Sequence, residues 1–73
     1  MPIITLLTDF GQQDGFVGTM KGVILNICPE ATLVDLSHEI SPQHISEAAF
    51  VLRNAYAYFP TATIHVVVVD PGV

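Results

Sequence analysis

Basic residues are almost absent from this 73-residue chain: Lys21 and Arg53 stand against seven acids, for a formal net charge of −5. Nucleic-acid binding draws on clustered Lys and Arg, so that class of partner is discounted. Cysteine is nearly absent too. With Cys28 alone, no internal disulfide can form, and a lone thiol beside Pro29 fits a reducing compartment and a packing role. No apolar stretch approaches the roughly 20 residues that a membrane span needs. The opening "MPIITLLTDF" has no basic segment ahead of its apolar run and meets an acid at Asp9, so it does not read as a signal peptide. The expected location is cytoplasmic, with no membrane partner.

What is abundant is apolar surface: 51% of the residues are hydrophobic and 12% charged. A chain this short buries only about 60% of the surface its unfolded form exposes and is marginal by itself. The composition suits one part of a larger core.

Periodicity divides the chain into five elements. "PIITLLT" is a short branched run ending at Asp9, as in a strand buried on both faces. "DFGQQDG" is a loop. From Gly15 to about Cys28, the residues Val17, Met20, Ile24 and Ile27 fall on one helical face, with Asp14 placed to cap the helix and Pro29 to stop it. "ATLVDLS" is a second strand. "SPQH" predicts a helix start with Ser41 as N-cap and Pro42 in the first turn. Behind it lies an apolar stripe of Ile45, Ala48, Ala49, Leu52, Ala55, Tyr56 and Phe59, ended by Pro60. "TATIHVVVVD" is a third strand, in which Val66 to Val69 call for cover on both faces. The order β-α-β-α-β with helix-length crossovers implies an α/β fold with parallel pairing and right-handed connections. It amounts to the first part of a doubly wound, Rossmann-like domain.

In open parallel sheets, ligands bind beyond the carboxyl ends of the strands. The first strand delivers Thr8, Asp9, Phe10 and Gly11 there, the second Asp35, Ser37, His38 and Glu39, and the third Asp70, Pro71 and Gly72. Asp9 reads either as an acceptor for ligand hydroxyls, such as a ribose diol, or as a loop acid bonding nearby amides. Asp14 reads first as a helix cap, a role compatible with facing a ligand. Asp70 leaves a low-dielectric valine strand for a Pro-Gly turn, which favours a held, functional carboxylate, although "DPG" also serves as an ordinary turn. Asp35, His38 and His44 are too sparse for a metal site, and structural roles suit these histidines better. His65, in the valine strand, reads as packed or partnered. The glycines match neither the dinucleotide nor the P-loop signature, and Gly15, Gly18 and Gly22 suggest close packing of helix on sheet. Cys28, at the far end of its helix, is rejected as a nucleophile.

Several stretches together, "TLLTDFG", "DGFVGTMKGVI", "PEATLVDLSHEISP", "YFP" and "VVVVDPGV", resemble the adenosine-forming S-adenosylmethionine (SAM) hydrolases, or SAM hydroxide adenosyltransferases, which are relatives of the fluorinating and chlorinating SAM enzymes. The resemblance runs through essentially the whole chain. It implies that residues 1–73 are an incomplete N-terminal α/β domain, with the rest of that domain and a C-terminal β-barrel-like domain missing. It further implies a homotrimer with active sites between subunits. The implied reaction is attack of water, acting as hydroxide, on the ribose 5′ carbon of SAM, releasing methionine and adenosine without metal or cofactor.

The substrate-binding residues implied are Asp9, on the ribose hydroxyls, Asp14, near the methionine end, and Phe10. The catalytic residue implied is Asp70, first of an Asp-Arg-His set whose other members would lie beyond Val73. The resemblance also speaks for hydrolysis over halogenation. An acid at Asp70 repels a halide, and Gln43 stands where the fluorinating enzymes carry a tryptophan. The fragment alone is expected to be inactive. The competing expectation is a receiver-like signalling or binding module gathering Mg²⁺ on its acidic edge. Such modules place two adjacent acids after the first strand, whereas here Phe10 follows Asp9.

Overall fold

The branched run at the start of the chain becomes the middle of a sheet. The computed structural model describes residues 2–70. Strands β1 (Ile3–Thr8), β2 (Thr32–Ser37) and β3 (Ile64–Val68) are connected by helix α1 (Phe16–Ile27), helix α2 (Ile45–Ala55) and a 3-10 turn over Tyr56–Tyr58. The strands are parallel and lie in the order β2-β1-β3, the α/β arrangement that the sequence predicts. Along β1 the register runs Ile4 to Leu33 on one side and Ile4 to Ile64 on the other. A bulge in β2 skips Leu36, so that Leu6 faces Asp35 and Leu7 faces Ser37.

Being paired on both edges and covered on both faces, β1 is buried from Ile4 through Thr8. Its Leu7 meets Ile40 and Ala48 in a core that Leu36, Val51, Leu52 and Val69 extend. The outer strands are less protected: Val67 and Val68 remain exposed. The four valines therefore have only partial cover within residues 2–70.

Several local expectations change. Helix α1 begins at Phe16 after Gly15, whose φ of 74° is the left-handed conformation glycine tolerates; no side chain caps this end, so Asp14 is not the cap. Of the predicted face, Val17 is buried and Met20 and Ile24 half-buried, but Ile27, in the last turn, is 79% exposed. Nothing lies within 4 Å of a Cβ built on Gly15, Gly18 or Gly22, so close helix packing does not account for these glycines.

Helix α2 starts three residues later than "SP" suggests. The His44 N–H donates to the Ser41 carbonyl and the Ile45 N–H to the Gln43 carbonyl, an inverse γ-turn at His44. Neither Ser41 nor His44 caps with its side chain. Instead, Glu47 Oε1 accepts the Ser41 N–H at 2.9 Å. After Ala55 the helix tightens into the 3-10 turn and the chain is extended at Phe59, before Pro60. The third strand is shorter than the stretch 61–70.

Leu7→Ala should lower stability by about 2–5 kcal/mol through lost burial and a residual cavity. Asn26→Ala, on the exposed side of α1, should change it by less than about 0.5 kcal/mol. Urea unfolding midpoints of the two variants measure the contrast.

Candidate active site

From β1 the chain runs outward to β2 and then crosses back to β3 on the other flank. The strand order therefore reverses between β1 and β3, the position where open α/β sheets bind ligands. Asp9 sits at this point. Its N–H donates to the Val68 carbonyl at 3.3 Å, adding a rung to the β1–β3 ladder. Its Oδ2 accepts the main-chain N–H of Asp70 at 3.2 Å and, at the long limit of 3.5 Å, that of Gln43. One carboxylate oxygen thus ties together the ends of β1 and β3 and the turn before α2. Among the described residues, no hydrogen bond engages Oδ1.

The two acids singled out at the first and third strand ends are therefore neighbours. Asp70 is exposed, and the Pro71-Gly72 turn expected to hold it lies outside the described residues. Phe10 is half-buried, with its ring 6.1 Å from that of Phe16. Asp14 is exposed in the loop ahead of α1, and no hydrogen bond joins its side chain to Asp9 or Asp70 among the described residues. Gln43 has φ 66°, the one non-glycine residue with positive φ among those described. The same residue's N–H is the one that reaches Asp9 Oδ2. An apolar groove of about 330 Å³, lined by Ile45, Ala48, Ala49, Leu52, Val67 and Val69, borders the site through Ile45 and Val69.

A second polar group lies across the β1/β2 edge, and it escaped the sequence reading except for the spacing of Asp35 and His38. His38 is buried. Its Nδ1 lies 2.7 Å from Thr8 Oγ1 and its Nε2 2.8 Å from Asp35 Oδ1. Asp35 Oδ2 in turn accepts a hydrogen bond from Lys21 Nζ on α1 at 2.8 Å. A carboxylate only accepts, so Nε2–H donates to Asp35, and in that tautomer Nδ1 accepts a hydrogen bond from the Thr8 hydroxyl. Thr8 Oγ1 then accepts the Phe10 N–H at 3.2 Å. Burial would raise the Asp35 carboxyl, but the hydrogen bonds from Lys21 and His38, together with the Lys21 charge, outweigh it and hold it below the ordinary value. With both ring nitrogens engaged, His38 is structural rather than a ligand in waiting. The missed signal was Thr8 itself, a hydroxyl in a strand predicted to be buried, which needs a partner there.

The remaining titratable groups are local. His65 Nδ1 lies 2.6 Å from Thr5 Oγ1, and its ring meets the edge of Phe59, the partnered role its place in the strand suggests. Cys28 Sγ donates to Glu30 Oε1, and that bond, with desolvation and the Glu30 charge, pushes the thiol up. A raised thiol is a poor nucleophile. Ser41 amide donation holds Glu47 below the usual carboxylate range. No group of three or more His, Cys, Asp or Glu side chains suited to a metal occurs among the described residues, and no helix there is long and apolar enough to cross a membrane.

Comparison with known proteins gives this edge a context. Residues 4–73 match the model of the SAM hydroxide adenosyltransferase N-terminal domain. The chain belongs to that family. It is 51% identical to a (R)-S-adenosyl-L-methionine hydrolase of Methanocaldococcus jannaschii, aligned over 100% of this chain and 29% of that protein. A fluorinase of Actinoplanes is 34% identical, over 97% of this chain and 24% of the relative. A crystal structure of an uncharacterized conserved protein from Thermotoga maritima superposes with a TM-score of 0.91 at 43% identity, covering 96% of this chain and 27% of that one. The chain thus spans less than a third of the length of these relatives. Within the family, its β1/β3 edge presents Asp9 and Asp70 together.

Asp35 adds stability that is fully present above its unfolded value of about 3.9 and is lost as pH falls through its lower folded value. Asp35→Asn should therefore flatten the acid limb of a stability–pH curve measured by urea unfolding between about pH 7 and pH 3. Some slope will remain, because Glu47 is shifted in the same direction. At Gln43, glycine should relieve the left-handed backbone and add about 0.5–1 kcal/mol, whereas valine should cost about 1–2 kcal/mol. Thermal unfolding of the pair tests this.

Proposed function

We propose that this chain is the N-terminal part of an enzyme that hydrolyses SAM to adenosine and methionine. The observation that carries the reading is the pairing of Asp9 and Asp70 at the strand-order reversal, in a chain of the SAM hydroxide adenosyltransferase family. Two main-chain donors hold Asp9 Oδ2, which leaves Oδ1 as a fixed acceptor for the ribose hydroxyls of the substrate. Phe10 and Asp14 complete the substrate side, Asp14 toward the methionine end. Asp70 orients the attacking water and favours its hydroxide character. Oxygen bonds to C5′ as the C5′–S bond breaks, methionine departs as a neutral thioether, and the water gives up one proton. The positive sulfonium suits an acidic edge and is already a good leaving group, so positioning of water is the main task. SAM is the substrate, and no metal or cofactor takes part.

The strand order suits a receiver-like module equally well; the family match favours the enzyme. Within the family, the acid at position 70 favours water over a halide. This reading places the remainder of the N-terminal domain and a C-terminal β-barrel-like domain outside the present chain. The whole protein then works in the cytoplasm as a homotrimer with sites between subunits. Apolar side chains left exposed here, among them Phe16, Val23, Ile27 and Phe50, are consistent with such additional cover.

Incubating the full-length protein with SAM should yield adenosine and methionine in equal amounts by chromatography, unchanged by a chelator. Asp70→Asn should lower kcat by roughly 10²- to 10⁴-fold, while Asp9→Asn acts chiefly on KM. The 73-residue chain alone should give no turnover. Absence of adenosine from the full-length protein, or a halogenated nucleoside as the main product, would overturn the assignment.

A further inference from the structure

We infer that His38 is a positioning residue for the Asp9–Gly11 segment and acts through Thr8; the inference rests on the SAM-hydrolase reading of that segment. His38 grips the segment twice. Its ring sets the Thr8 hydroxyl, 2.7 Å from Nδ1, so that the oxygen's lone pairs face the Phe10 N–H at 3.2 Å. Its own main-chain carbonyl accepts the Gly11 N–H at 2.7 Å. The Thr8 carbonyl meanwhile accepts the Ile40 N–H at 3.4 Å, closing the two strand ends on each other.

The ring is held from behind as well. Asp35 accepts at Nε2, and Lys21 holds Asp35 from α1. The chain Lys21–Asp35–His38–Thr8–Phe10 thus runs from the first helix through the second strand to the loop after the first. Both His38 and Thr8 are at most 1% exposed, so neither reaches a substrate and neither is a candidate catalytic group. Burial also makes the relay exacting. Removing either polar partner leaves the other unsatisfied in a site without solvent. The Phe10 amide then loses its fixed acceptor, and the Asp9 backbone loses one of its constraints. Because Asp9 contacts the ribose both before and during reaction, its misplacement weakens uniform binding, which appears in KM rather than kcat.

The test uses the full-length protein. Thr8→Val, nearly isosteric, and His38→Leu should each raise KM for SAM roughly 10- to 100-fold with kcat within about threefold. Thr8→Ser, which keeps the hydroxyl, should restore the parent KM. The double variant Thr8→Val/His38→Leu should be no worse than the poorer single one, since both break the same chain. Amide exchange at Phe10, measured alongside, should accelerate in Thr8→Val and recover in Thr8→Ser. Unchanged KM in Thr8→Val, or equal losses whether serine or valine replaces Thr8, overturns the proposal. If the parent protein does not turn over SAM, it is the functional reading that has failed. The relay is then decided by exchange alone: faster exchange at Phe10 in Thr8→Val supports it, and unchanged exchange overturns it.

Discussion

The structure depends on one constraint, the complete burial of β1. A strand paired on both edges and covered on both faces has no water for its polar groups. Its two threonines must find partners inside the protein, and both find histidines: Thr5 with His65 on β3 and Thr8 with His38 just past β2. These contacts join the middle strand to each neighbour through side chains as well as through the main-chain ladder. The residue immediately after the buried run, Asp9, continues the pattern by accepting main-chain donors from two other segments.

The site inherits its order from that constraint. Asp9 is placed by β1, steadied from the β2 side through Thr8 and His38, and tied to β3 through the Asp70 amide. The cost appears at Gln43, whose left-handed backbone supplies a donor to the same carboxylate. Strain of this kind persists where surrounding structure over-determines it, and it gathers at functional sites. The acids at the strand ends therefore divide into separate tasks: Asp35 anchors a buried histidine, Asp9 fastens three segments, and Asp70 stands exposed beside it.

Much of the fold was legible in advance. Val, Ile and Leu runs of strand length, separated by helix-length segments with apolar faces, point to parallel β-α-β units for a plain reason: such runs are stable only when covered on both sides. The helix ends were read less well. At Asp14 and Ser41, residue types that favour caps stood at suitable spacings, yet Gly15 and the turn at His44 took those positions. Cap preference is worth only about 1 kcal/mol, and the route of the chain toward the sheet overrides it. The glycines of α1 misled for a related reason. Spacing alone cannot tell a helix side that meets a sheet from one that meets solvent.

The amino-acid sequence by itself determined the strands and helices, the acidic edge and the resemblance to SAM hydrolases, because these are carried by local periodicity and short motifs. Only the tertiary structure decided which acids meet. Asp9 and Asp70 are 61 residues apart and Asp9 and Gln43 are 34 apart. Their contact follows from the order β2-β1-β3, which sets the first and third strand ends side by side. Tertiary structure likewise turned His38 from a sparse motif member into the buried centre of a relay. The partners of a side chain depend on what the fold excludes from water around it, and that is a property of the packed sheet rather than of neighbouring letters.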